Sequence, residues 1–340
     1  FLVPPVAPPV DALPGINLNP LAGGLPLKPI HNEIFTNFGD TQTIDLFADV
    51  SFAVTDRLEL TGGLRFTQDD KESGLRVELL NGPSNLTFGG IFVQPTLDEA
   101  GNVTTISASD TFEDLTYRVA AKYDLTDQVN LFANYARGRR PEVITASASA
   151  PEAGFATLDA EIVDAFEAGV KADLFGSLRI NASAFYYDYS NFQTTEVNDE
   201  GLIEPINAGD ATAEGFEISA DWAFAEASSI IATYGYNKAR FDDEVGAPFS
   251  GNRLRLSPDH TASVAARLVI PTSYGDVAII PSATYQSEVF FDNTERDLIS
   301  EDSYGLANLN VVWTVPGDRV SVEAYVTNLF DQDYIIDAGN

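Results

Sequence analysis

The stretch Ile44-Asp45-Leu46-Phe47-Ala48-Asp49-Val50-Ser51-Phe52-Ala53-Val54-Thr55-Asp56-Arg57-Leu58-Glu59-Leu60-Thr61-Gly62-Gly63-Leu64-Arg65-Phe66 decides the fold of this 340-residue chain. Ile44, Leu46, Ala48, Val50, Phe52 and Val54 interleave with Asp45, Phe47, Asp49, Ser51 and Ala53. Beyond Thr55-Asp56-Arg57 the alternation resumes, with Leu58, Leu60, Leu64 and Phe66 against Glu59, Thr61, Gly63 and Arg65. Successive side chains on a strand point to opposite faces, so each run has one apolar and one polar face. Two long strands meeting at a very short polar turn form a hairpin.

The same hairpin recurs around Thr126-Asp127-Gln128, Phe175-Gly176-Ser177, Ala225-Glu226-Ala227, Thr272-Ser273-Tyr274 and Pro316-Gly317-Asp318. The spacing predicts twelve strands, over 43–54, 58–69, 113–125, 128–138, 162–174, 177–190, 211–224, 229–241, 260–271, 276–289, 304–315 and 319–330. Strands of soluble domains run ~5–6 residues, whereas a tilted strand crossing a bilayer needs ~9–11. Long connections fall at about 70–112, 139–161, 191–210, 242–259 and 290–303. Short turns on one rim and long loops on the other predict an all-β chain, an antiparallel transmembrane up-and-down β-barrel. The first long loop holds two further strand-like pieces, Leu86-Thr87-Phe88 and Gly90-Ile91-Phe92-Val93. Aromatic residues near strand ends, Tyr186-Tyr187 with Tyr189, Tyr234 with Tyr236 and Trp222 with Phe224, read as interface girdles.

Lys and Arg number 19 against 51 Asp and Glu, a formal charge of −32. Nucleic-acid binders carry the opposite sign, so no nucleic-acid partner is expected. No apolar run approaches 18 residues, which excludes membrane-spanning helices but not a barrel, whose strands average out. Without Cys there is no disulfide framework and no thiol chemistry. The chain has no Met and opens at Phe1, the expectation for a processed product or a fragment. Residues 1–30 contain eight of the 18 prolines and only Asp11 and Lys28 as charges. That composition predicts an irregular or polyproline-like surface segment, with residues 31–340 as the barrel portion. A barrel returns its last strand to the short-turn side, so the count of twelve leaves one strand wanting after Val326.

Several segments resemble the barrels of TonB-dependent outer-membrane receptors. They are 54–66, Asn130-Leu131-Phe132-Ala133-Asn134-Tyr135-Ala136-Arg137-Gly138, Phe166-Glu167-Ala168-Gly169-Val170-Lys171 and Ala184-Phe185-Tyr186-Tyr187-Asp188-Tyr189. Asn207-Ala208-Gly209-Asp210-Ala211 through Gly215-Phe216-Glu217 adds to them. The most specific is Val326-Thr327-Asn328-Leu329-Phe330-Asp331-Gln332-Asp333-Tyr334, which in that family precedes the final strand. The resemblance implies strands 10 to 21 of a 22-stranded barrel in the bacterial outer membrane. It implies uptake of a scarce ligand such as a ferric siderophore. Its partners would be membrane lipid, lipopolysaccharide and the TonB complex, the last reached through a plug that this chain does not contain. The alternative is a surface structural or adhesive protein built on a barrel-derived sheet.

Catalysis has little to stand on: the histidines are His31 and His260, and Asp259 beside His260 points to the opposite face of a strand. No enzyme activity and no cofactor are expected. Arg137, Arg139 and Arg140 form the densest basic cluster, at the outward end of a strand. Two readings stand: a clamp for an anionic ligand such as a ferric chelate or a lipopolysaccharide phosphate, or a loop neutralising its own acids. Asp242, Asp243 and Glu244 are metal candidates, because Ca²⁺ takes carboxylate oxygens, against the alternative of a solvated acidic face.

Overall fold

The computed structural model describes residues 32–80, 87–88, 91–92, 95–146, 155–197, 203–317 and 319–338. The Pro-rich segment 1–30, His31 and Asp318 lie outside them. Among the described residues the regular structure is all strand apart from one 3₁₀ turn at Asp297–Ile299. In order the strands are β1 Glu33–Ala53, β2 Leu58–Leu79, β3 Thr87–Phe88, β4 Ile91–Phe92, β5 Ile106–Thr126 and β6 Val129–Arg140. Then come β7 Val143–Ala146, β8 Phe155–Leu158, β9 Glu161–Leu174, β10 Leu178–Ser190, β11 Gln193–Val197, β12 Ile203–Asn207 and β13 Ala211–Ala225. The last are β14 Ser228–Phe241, β15 His260–Thr272, β16 Gly275–Gln286, β17 Val289–Phe290, β18 Ser300–Glu301, β19 Tyr304–Thr314 and β20 Ser321–Val326.

Twelve of these strands make one sheet, ordered β1-β2-β5-β6-β9-β10-β13-β14-β15-β16-β19-β20. Each pairs antiparallel with the next, so all six predicted turns fall on one rim, as the alternation requires. The turn after β9 takes positive φ at both Phe175 (58°) and Gly176 (66°), the hand that matches strand twist. On the other rim the described residues form four two-stranded hairpins, β3–β4, β7–β8, β11–β12 and β17–β18. The first realises the strand-like pieces expected near 86–93, of which only Thr87, Phe88, Ile91 and Phe92 are described.

Below the loop-side extensions the register separates the two faces. Val50, Leu64, Val119, Ile180, Ala266 and Val322 share one face. Asp49, Arg65, Arg118, Arg179, Arg267 and Glu323 share the other, where Arg65 pairs with Asp45 at 2.6 Å and Arg118 with Asp49 at 2.7 Å. A hollow of about 1000 Å³ lies on the polar face, lined by Lys122, Asn130, Lys171, Asn181, Ser219 and Thr233 among others. The polar face is therefore the concave, inner one. The outer face exposes Leu46, Val50, Leu64, Val119, Val264 and Val322.

Three strands run further than the sequence predicts. The expected 43–54, 58–69 and 113–125 become Glu33–Ala53, Leu58–Leu79 and Ile106–Thr126, all lengthened at the loop end. Polar pairs such as Thr41 opposite Lys71 and Glu72 opposite Ser109 carry no face pattern, yet the ladder continues through them. Buried Leu75 and Val77, packed by Leu79 and Ile106, hold that extension together. At the other end β20 stops at Val326, short of the predicted 330. Asn328 and Asp331 take left-handed φ of 49° and 53°, which Asn and Asp tolerate. The Asn328 side chain accepts from Gln332 N at 2.9 Å and donates to the Gln332 carbonyl at 2.9 Å, closing a turn in place of the ladder.

Candidate functional site

On β10 the inward positions read Arg179, Asn181, Ser183, Phe185, Tyr187 and Tyr189 from turn to loop rim. The inner wall thus changes character with height: polar near the turns, aromatic near the loops. Phe185 lies over Gly215 on β13, where an added Cβ would sit 2.7 Å from its ring, and stacks on Tyr187 at 5.0 Å. A second hollow of about 450 Å³ opens there, walled by Phe185, Tyr187, Tyr189, Leu254 and Leu256, with Glu167 and Glu217 also lining it. Above it Tyr189, Phe192, Phe241 and Phe249 pack ring to ring over buried Ala208 and Ala211. The alternation of faces could have found this inner ladder. Of the tyrosines expected in a girdle, Tyr186 faces out while Tyr187 and Tyr189 face in.

The outer face carries a true belt near the loop rim. Tyr117, Tyr135, Phe166 and Tyr186 run across four strands with ring separations of 5.8, 4.7 and 6.5 Å. Phe216, Tyr234, Tyr236 and His260 continue it.

Buried amides knit the loops above this level. Gln193, 6% exposed, donates through its side chain to the carbonyls of Pro141 and Asp159 and through its backbone N–H to Glu161. Asn207 bridges Asp159 and Asn191. Asn293, also 6% exposed, donates to Thr194 and accepts from Arg255 and Asn252. A cleft of about 510 Å³ lies among these loops, lined by Thr194, Glu196, Phe249, Arg255, Asp292 and Arg296 with others.

The three arginines singled out by sequence do not converge. Arg137 lies on the outer face, where Asp164 takes its guanidinium at 3.3 Å and the Tyr135 hydroxyl at 2.7 Å. The Arg139 side chain, 8% exposed, is surrounded by Asp69, Asp114 (3.7 Å) and Glu142 (3.1 Å). Arg140 donates to the Gln193 carbonyl at 3.0 Å and stands 4.0 Å from Glu161. Each is thus matched by acceptors of its own chain. Among the described residues no three His, Cys, Asp or Glu side chains converge as a metal site, Asp242, Asp243 and Glu244 included. Asp243 accepts from Ser250 at 3.0 Å instead. His260 meets the Tyr234 hydroxyl at 2.9 Å, while Asp259 binds Arg240 through both oxygens, so the two neighbours act apart.

Comparison with known proteins adds the following. The family described as TonB dependent receptor-like, beta-barrel, matches residues 11–329. A pesticin receptor of Yersinia enterocolitica is 23% identical over 304 residues, covering 88% of this chain and 40% of that protein. The catecholate siderophore receptor Fiu of Escherichia coli K12 is 23% identical over 306 residues, covering 87% and 39%. The crystal structure of the ferric yersiniabactin uptake receptor FyuA from Yersinia pestis superposes with a TM-score of 0.72 at 22% identity, over 91% of this chain and 43% of that one. That likeness establishes the fold. The chain spans about 40% of the length of these relatives.

Proposed function

Because this chain belongs to the TonB-dependent receptor β-barrel family, we propose that it is part of the barrel wall of an outer-membrane receptor importing a scarce ligand such as a ferric siderophore. One observation carries the reading: a sheet of twelve strands, all but β20 at least 11 residues long, with an apolar outer and a polar inner face, short turns on one rim and knitted loops on the other. An apolar band with aromatic belts suits lipid, and the polar interior suits a hydrated lumen. These strands fit the 22-stranded barrel that the family resemblance implies. Two relatives carry receptor names for iron chelates, the catecholate siderophore receptor Fiu and the ferric yersiniabactin receptor FyuA.

Mechanistically, the aromatic inner wall at Phe185, Tyr187 and Tyr189 and the loops above it would receive the ligand. A plug and a TonB contact supplied elsewhere in the full-length protein would drive its passage. Membrane lipid would surround the outer face, with lipopolysaccharide at the loop-side belt. The test is deletion of the full-length gene under iron limitation, followed by uptake of radioactive iron presented as a panel of chelates. Loss of uptake for one chelate, restored by the gene and abolished without TonB, is the expected result. Unchanged uptake of every chelate, with lost surface adhesion, would favour the adhesive alternative and sink this reading.

A further inference from the structure

We propose that the outward loops around the 510 Å³ cleft form one interlocked body, with Asn293 as the positioning residue that holds the cleft in shape before any ligand arrives. The proposal goes beyond the uptake reading, since it concerns loop geometry and not the identity of the cargo.

Outward loops ordinarily come from the low-stability end of a structure, with few buried contacts. Here the opposite arrangement occurs. Asn293 lies in the connection between β16 and β19, and three of its polar atoms are used on two other loops. Its Nδ2 donates to the Thr194 hydroxyl of β11 at 2.9 Å, across 99 residues of sequence. Its Oδ1 accepts from Arg255 N at 3.2 Å, and its carbonyl accepts from Asn252 Nδ2 at 2.8 Å. A buried amide whose partners sit on different elements fixes those elements together, because losing either partner strands a polar group away from water.

The link to the 242–259 loop is doubled. Leu256 N donates to the Phe290 carbonyl at 2.9 Å, and Arg253 N donates to Glu295 at 2.8 Å. The Arg253 guanidinium pairs with Glu288 at 3.0 Å and lies over the Phe290 ring at 5.3 Å. By contrast the β11–β12 hairpin is held to this body by the Asn293–Thr194 hydrogen bond at the cleft and by Ile206 packing against the cluster of Phe241 and Phe249. A wall set before binding spares the ligand the cost of ordering it.

The chain has no Cys, so spin labels can be placed on it cleanly in the full-length protein in detergent, with any cysteine elsewhere replaced. Labels go on exposed Val245 and Leu298 to report the two long loops, and on Thr195 with Leu298 to report the hairpin. Pulsed dipolar distances should be single and narrow for both pairs without any ligand. Asn293→Leu keeps the bulk of the side chain but loses both the donor to Thr194 and the acceptor for Arg255 N–H, whereas the Leu256 and Arg253 links to the 242–259 loop remain. It should broaden the Thr195–Leu298 distribution about twofold and leave Val245–Leu298 narrow. Thr194→Val removes the same bond from the other side and should do likewise, which covers the case of a variant at 293 that misfolds. Broad distributions in the unaltered protein, or unchanged widths in both variants, would overturn the proposal.

Discussion

Moving one lysine by a single residue along β10 tests the assignment of faces. Ala182 faces outward between Val170 and Ile218, while Ser183 faces inward between Gly169 and Glu217. A strand tilted by about 40° rises about 2.5 Å per residue, which puts Ala182 about 13 Å above the turn residue Ser177, midway up a band of roughly 25 Å. Ala182→Lys therefore buries an ammonium at the middle of the lipid and should cost ~2–4 kcal/mol. At 1.36 kcal/mol per decade that is roughly a 30- to 1000-fold loss in the folding equilibrium. Ser183→Lys lines the 1000 Å³ hollow with Glu217 directly opposite. An ion pair in a hydrated wall contributes ~0–1 kcal/mol, so this variant should remain near the parent or slightly above it. The assay is urea titration of the full-length barrel in lipid vesicles, followed by heat-modifiable gel migration. Equal costs at the two positions would refute the lipid-facing assignment of the outer wall.

Arg139→Leu should cost ~3–5 kcal/mol, because it leaves Asp69, Asp114 and Glu142 without their shared buried cation. Hydrogen exchange should then show the loop-side halves of β2 and β5 opening before their turn-side halves. Gly215→Ala should cost ~1–3 kcal/mol, because an added Cβ would run into the Tyr236 backbone carbonyl as well as the Phe185 ring, so Phe185→Leu in the same chain should leave most of the loss in place by thermal melting. Burial raises the Asp292 carboxyl, but hydrogen bonds from Arg296 and Thr294 outweigh it and hold the group below its ordinary value of 3.8. A lowered folded value means stabilisation present above that ordinary value and lost as pH falls through the folded one. Limited proteolysis of the 287–303 loop should accelerate only at acid pH, and Asp292→Asn should flatten that dependence.

The alternation from Ile44 to Phe66 determined the fold, since period two with long runs permits only one arrangement of faces and the short turns fix the register. All twelve wall strands, the common rim of the turns and the facing of Val119 against Arg118 followed from it. The outward ends did not follow. Above the apolar band both faces of a strand meet water or other loops, so Thr36 to Gln42 and Gln68 to Gly74 carry no periodic signal while their backbones still pair. The site lies in that silent region. Arg137, Arg139 and Arg140 stand close together in sequence, yet strand geometry sends one to the outer face and buries another among three carboxylates drawn from β2, β5 and the residues after β6. Gln193 and Asn293 look like ordinary loop amides. Only the packing of connections tens of residues apart excludes water from them, and that exclusion is what turns a loop amide into the joint of the rim.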